Sequence, residues 1–302
     1  MDKATPGAAP APFRSEVLAI VGVGLIGGSV AAALRKNGAV GQVLGVGRHP
    51  RSLAQARQLG LIDQAVTLEQ AASQADLIVL AAPVVAIETI LAELGPHLRP
   101  GTLVTDVGST KANVAAAARA ALGPKLAQFV ASHPIAGAER TGPEAADADL
   151  FRDRTVVVTP VEENGPDARR RLTGMWEMCG AKVVAMDPSA HDTALASVSH
   201  LPHFLSAVYM AQVAGASDAD LRLALAGTGF RDFTRIAAGS PEVWRDIFLA
   251  NRSALLAELD LFKAELDHLE QALQGSDARE LHDFLERAAL ARRFWGSRSG
   301  LA

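Results

Sequence analysis

Val17-Leu18-Ala19-Ile20-Val21-Gly22-Val23-Gly24-Leu25-Ile26-Gly27-Gly28-Ser29 is the stretch whose reading decides the fold. It reads as a buried strand, a glycine turn and the first turn of a helix. Gly22, Gly24 and Gly27 stand in the G-x-G-x-x-G spacing that cradles the pyrophosphate of a dinucleotide. Gly22 permits the tight turn, Gly24 lets a phosphate approach the backbone, and Gly27 lets the helix sit close to the strand. Leu25 and Ile26 open the helix, where free N–H groups face an anion. The helix continues over residues 29–37, and Gly38 is its stop.

Downstream, residues 42–46 read as a second strand. In NAD-binding units the end of that strand carries an acid for the ribose hydroxyls. Here Gly47 stands in its place, followed by Arg48, His49 and Arg51. A carboxylate would repel a 2′-phosphate, whereas an arginine pairs with one, so NADP is expected over NAD. The pattern then repeats. Residues 51–59, 84–98, 112–122 and 167–178 read as helices, and 76–81, 103–106, 128–131, 155–159 and 182–185 as strands. Such alternation predicts an α/β fold with a doubly wound parallel sheet, closing near residue 187. Ligands bind these sheets beyond the carboxyl ends of the strands. Gly22–Gly27, Arg48, Pro83, Ser109 and His133 all fall at such ends.

From residue 188 the period is helical only, so a second, all-helical domain is expected over 188–302. Ser189 reads as the cap of a helix running to about Ala214, bent at Pro202. Ser240 and Pro241 open another helix. Leu255, Leu259, Phe262, Leu266, Leu269 and Leu273 alternate spacings of four and three, a seam suited to a homodimer. Gly275 ends it, and Asp277 and Glu280 open the last helix. Residues 1–14, rich in Ala and Pro, read as a disordered tail without the apolar core of a signal peptide.

Bulk composition narrows the class. With 49% hydrophobic residues and 21% charged, the 302-residue chain has enough apolar side chains for a packed core. A net charge of −4 without basic runs argues against nucleic acid or an anionic membrane as partner. No apolar run reaches the length of a membrane span, and the one cysteine, Cys179, allows no internal disulfide. A cytoplasmic location is expected.

His133, in Ser132-His133-Pro134-Ile135-Ala136-Gly137, is the candidate proton acceptor, because imidazole titrates near neutrality and the loop lies beside the cofactor. Ser109 either orients it or caps the helix that follows. Asp232 and Arg235 are three residues apart on one helical face, and an arginine offers a paired donor set to a carboxylate. His200 and His203 flank Pro202; with no third ligand nearby, substrate or cofactor contact is expected rather than a metal.

At these residues the chain resembles the prephenate/arogenate (cyclohexadienyl) dehydrogenases of tyrosine biosynthesis. The resemblance is carried by Gly22 to Ser29, Thr105-Asp106-Val107-Gly108-Ser109-Thr110-Lys111, His133 to Gly137, Ser199-His200-Leu201-Pro202-His203, and Asp232-Phe233-Thr234-Arg235 continuing to Trp244-Arg245-Asp246-Ile247-Phe248. It implies a Rossmann-like domain, a helical dimerisation domain, and oxidative decarboxylation of a cyclohexadienol. It implies His133 as the partner of the ring hydroxyl, with Ser109 supporting it. Arg235 would hold a substrate carboxylate, with His203 and Asp232 behind it and Glu139 as a gate. Prephenate is favoured over arogenate. A β-hydroxyacid dehydrogenase or imine reductase shares this plan, but hydroxyacid relatives use a helical lysine. The helical half holds only Lys263, inside the leucine seam. A non-enzymatic NADP sensor would leave His133 and Arg235 unexplained.

Overall fold

The structure, a computed structural model, describes residues 13–137 and 140–299. It falls into two compact units, residues 1–251 and 252–302. Residues 1–12 of the expected tail lie outside the described residues, but its last two do not, and Phe13 packs against the core, so the expected tail is too long.

The first unit is built on a parallel sheet of β1 (Ser15–Val21), β2 (Val40–Val46), β3 (Gln64–Ala65), β4 (Leu77–Leu80) and β5 (Leu103–Asp106), in the order β3-β2-β1-β4-β5. The connections are α1 (Leu25–Lys36), α2 (Pro50–Gln58), α3 (Leu68–Gln74) and α4 (Ile87–Leu94), and α5 (Ala112–Leu122) follows β5. Alternate residues of one strand serve opposite faces. Leu18 and Ile20 pack with Val30 and Leu34 of α1, whereas Ala19 and Val21 pack with Leu91 and Leu94 of α4. Both faces are therefore covered, which explains the unbroken apolar runs of β1 and β4. The strand order reverses between β1 and β4, which opens a crevice at their carboxyl ends.

A second, three-stranded sheet follows: β6 (Ala131–Pro134), β7 (Thr155–Thr159) and, after α6 (Pro166–Met178), β8 (Lys182–Ala185). Its β6 runs antiparallel to β7, a departure from the all-parallel expectation. Parallel strands need a long crossover, and residues 135–154 form no α-helix among the described residues. The strand expected at 128–131 lies three residues later. A 3₁₀ turn over Gly123–Gln128 and the buried Phe129 occupy its start, so His133 sits within β6 rather than after it.

From Pro188 every described element is helical. The helical run expected over 189–214 is present as α7 (Pro188–Leu195) and α8 (Leu201–Ala214), continuous through a π turn at Ala196–His200. Pro202 is the second residue of α8, directly after the π turn. The cap of α7 is Asp187, not Ser189; its carboxylate accepts from the N–H groups of Ser189 (2.7 Å) and Ala190 (3.1 Å). Pro188 at the first helical position moves the start one residue earlier. Then come α9 (Ala219–Ala224), α10 (Thr228–Thr234) and α11 (Pro241–Ala250), the last capped by Ser240 as expected.

The second unit is a hairpin of α12 (Arg252–Gln274) and α13 (Ala278–Ser299). Asp277 caps α13 by accepting from the Glu280 N–H at 3.0 Å. Leu255 is buried, but Leu266 and Leu273 of the seam are exposed. Among the described residues no helix is long and apolar enough to cross a membrane.

One buried ion pair ties β5, α5 and β6 together. Lys111 donates to Asp106, and neither side chain is exposed to any degree. Asp106 also accepts from the Gly108 N–H (2.8 Å) and the Ser132 N–H (3.2 Å), and Lys111 donates to the Ser132 carbonyl (2.9 Å). Lys111→Met strands a buried carboxylate and should destabilise the protein by about 3–5 kcal/mol in urea unfolding. Lys36→Met, which removes an exposed partner of Asp149, should leave the unfolding midpoint nearly unchanged.

Candidate active site

Gly22 turns the chain at φ +99°, and a side chain there would overlap the Ala81 carbonyl. A Cβ on Gly27 would overlap the Gly22 carbonyl, so α1 rests directly against the turn. Gly24 differs: nothing lies within 4 Å of its Cβ position. It is also the N-cap of α1, with no side-chain cap and no acid in the first turn. The first N–H groups of α1, those of Leu25 and Ile26 included, have no intrahelical partner and face open space at a positive helix end. An open cradle beside uncapped donors fits a dinucleotide pyrophosphate.

Two cavities meet at this turn. One, of about 670 Å³, is lined by Gly22, Gly24, Arg48, Ser52 and Pro83. Arg48 is exposed just past β2 and has no ion-pair partner among the described residues. The other, of about 340 Å³, is lined by Gly24, Leu25, Ile26, Pro83, Ser109 and, from α11, Asp246 and Ile247. Arg48 is thus placed at the first cavity and Ser109 at the second, while Gly24 and Pro83 border both. Ser109 does not cap α5, whose N-cap position is Lys111.

The cap comes from across the chain. Asp192 on α7 accepts from the backbone N–H of Lys111 (2.7 Å) and of Ala112 (2.9 Å). Burial works against its ionised form, but hydrogen bonds from His191, Ala112 and Lys111 outweigh it and hold its carboxyl below the usual range. The Asp192 carboxylate also bonds Nδ1 of the fully buried His191 at 2.8 Å. His191 Nε2 in turn meets His133 Nδ1 at 2.8 Å. The partner of His133 at this nitrogen is therefore His191. Burial lowers the His133 pKa well below 6.5, and the positive charge of Lys111 adds to the shift.

A second cluster continues from the first. Asn251 donates to the Asp192 carbonyl (2.7 Å) and approaches His200 Nδ1 at 3.0 Å. Burial pushes His200 down to about 4. His203 stacks on Trp244 with ring centroids 3.4 Å apart, and its Nδ1 faces the Ser199 carbonyl. Burial lowers its pKa too, and the Arg235 charge adds to the shift, which places that guanidinium close by. Arg235 begins a 3₁₀ turn directly after α10, and Asp232 is exposed near the end of α10. Glu139 lies outside the described residues. His191, Asp192, Asn251 and Lys111 have no part in the sequence-based reading of the site. His191-Asp192 is a visible pair at a helix start, but nothing local links it to a histidine 58 positions earlier.

A doubly wound sheet with a glycine cradle at its switch point, and a histidine cluster tied to the start of the helix after β5, fits a nucleotide-dependent dehydrogenase. Residues 30–185 match the family model of the prephenate dehydrogenase nucleotide-binding domain, and residues 187–287 that of its dimerization domain. A cyclohexadienyl dehydrogenase of Zymomonas mobilis is 35% identical over 282 residues, 91% of this chain and 94% of the relative. A prephenate dehydrogenase of Bacillus subtilis is 33% identical over 276 residues, 90% and 74% of the two. The crystal structure of A. aeolicus prephenate dehydrogenase with hydroxyphenyl propionate and NAD+ superposes with a TM-score of 0.86 at 33% identity, covering 92% of this chain and 97% of that one. The chain belongs to the prephenate dehydrogenase family. It is an oxidoreductase with a domain for a nicotinamide nucleotide.

The open position at Gly24 has a measurable consequence. Gly24→Val should leave the melting temperature within a degree or two, yet weaken nucleotide binding roughly tenfold or more in a fluorescence titration. Gly22→Val, by contrast, should lower the melting temperature as well, because its side chain has no space.

Proposed function

We propose that the protein oxidises and decarboxylates prephenate to 4-hydroxyphenylpyruvate in tyrosine biosynthesis, with NADP as hydride acceptor. The observation that carries this reading is His133 itself. Its pKa is depressed, so the imidazole is neutral at working pH, and it neighbours Ser132, which is tied through Asp106 to the loop lining the smaller cavity.

Gly22, Gly24 and Gly27, with the N–H groups of Leu25 and Ile26, hold the pyrophosphate. Arg48 pairs with the 2′-phosphate. Pro83 and Ser109 border the space for the nicotinamide, and Ser109 reaches the hydroxyl that His133 serves. When bound, the nicotinamide supplies the acceptor for the hydride from the ring carbon that bears the hydroxyl. His133 takes the hydroxyl proton as that carbon becomes a carbonyl. The ring carboxylate then departs as carbon dioxide, its bonding electrons enter the ring, and the phenolic oxygen regains the proton from His133. No net proton is released, so a single acceptor suffices. Aromatisation drives the reaction, and the protein chiefly orients. Arg235 holds a substrate carboxylate, with His203 and Asp232 on the same side and Glu139 as gate. Residues 15–187 form the nucleotide domain, and 188–302 carry substrate contacts and the homodimer interface. The open leucines of α12 and the match to a dimerization domain support that interface.

The runner-up is arogenate, in which an ammonium replaces the side-chain ketone. Initial rates with both substrates decide between them, and faster turnover of arogenate would overturn the prephenate assignment. His133→Asn should lower kcat by roughly 10²–10⁴-fold with unchanged nucleotide affinity. Only neutral His133 accepts a proton, so kcat/KM should stay level through neutrality and fall on the acid side, well below pH 6.5. Arg48→Glu should raise KM for NADP roughly tenfold or more and spare the rate with NAD.

A further inference from the structure

We propose that Asp192 and His191 are positioning residues that fix the tautomer of His133, leaving its Nε2 bare to receive the substrate proton. The proposal rests on His133 being the proton acceptor. An acceptor in that role needs a lone pair aimed at the substrate. A free imidazole exchanges its one N–H between two nitrogens, so something must hold the proton on the other side.

The geometry supplies it in two steps. Asp192 is ionised and only accepts, so His191 Nδ1 carries a hydrogen toward it across 2.8 Å. With that hydrogen on Nδ1, the other ring nitrogen, Nε2, is the one that can present a lone pair. The 2.8 Å contact to His133 Nδ1 needs one hydrogen, and it sits on His133. The alternative places the hydrogen on His191, as an imidazolium that donates to His133. That cation would lie at a fully buried position, next to the residue that caps the positive end of α5. The Asp192 charge is already met by two backbone N–H groups of that helix start, so it does not demand a second cation. The other groups around His133 agree: the Lys111 ammonium disfavours added positive charge, and Asp106 is paired with Lys111. His200 receives its hydrogen bond from Asn251 and does not compete for His133 Nδ1.

Two roles meet in one carboxylate. Asp192 caps α5, which begins directly after the loop lining the smaller cavity, and it orients the histidine pair that serves the chemistry. Neither residue touches the substrate. Their effect is on orientation and hydrogen placement, so a change there should appear in kcat rather than in nucleotide affinity.

The direct test is the tautomer itself. Nitrogen NMR of histidine-labelled protein, with His133 assigned by comparison with His133→Asn, should show a protonated Nδ1 and an unprotonated Nε2 at neutral pH. A proton on His133 Nε2 in the resting enzyme overturns the proposal. The kinetic test is a pair of variants. His191→Leu removes the acceptor and should lower kcat roughly 10²-fold or more with KM for nucleotide within about threefold. His191→Gln offers an amide oxygen to the same N–H and should recover most of that loss. Leucine and glutamine variants with equal activity sink the proposal even if His133→Asn is inactive. An active His133→Asn sinks instead the reading of His133 on which it rests. If the leucine variant fails to fold, the NMR tautomer and the glutamine variant still decide.

Discussion

One carboxylate, on Asp192, fastens the helical segment to the nucleotide-binding sheet. It sits 5% exposed at the start of α5 and takes hydrogen bonds from two backbone N–H groups there. The helix end offers uncompensated donors and partial positive charge; the acid offers the complement. Because α7 supplies the acid, its register against α5 is set by charge and hydrogen bonding rather than by apolar contact alone. His191, one residue earlier, is thereby aimed at β6 and His133. Asn251 donates to the backbone carbonyl of the same Asp192 and also holds His200 Nδ1, so the histidine cluster inherits its placement from this one residue.

The buried pair of Asp106 and Lys111 works on the other side of the same helix start. It joins the end of β5 to β6 through Ser132, whose hydroxyl also receives the Trp176 indole N–H at 3.1 Å. A fully enclosed ammonium costs desolvation, and only its paired acid and a carbonyl make that tolerable. Its charge is also felt at His133, where it helps keep the imidazole neutral. The lysine thus serves packing and proton chemistry together.

Much of the nucleotide half was legible in the sequence because its signals are local. Apolar runs marked β1 and β4, glycines marked the turn, and β5, β7 and β8 fall on the residues that their patterns predict. The same locality explains the failures. The antiparallel run of β6 depends on what lies between 135 and 154, not on the strand's own residues. Ser189 looked like a cap, but Asp187 before Pro188 makes the better one. Pro202 marked the place where the helix departs from regular geometry, but nothing in its spacing told that the departure is a π turn just ahead of it. At the site, His133 stood out by its setting after a strand-like stretch, while His191 and Asp192 carried no distinguishing pattern. Their role comes from tertiary proximity, which one sequence does not encode in any spacing.

That π turn at Ala196–His200 carries one residue more than an α-helical turn would hold. Each residue advances a helix by about 100°, so removing it would swing everything from Leu201 onward to a different side. His203 would leave the Trp244 ring, and Ser206 would leave the Phe233 carbonyl that its hydroxyl meets at 2.9 Å. Length in this short segment is thus under geometric control. A side-chain swap there acts at its own position, whereas a single-codon deletion would misalign a whole face of α8 at once.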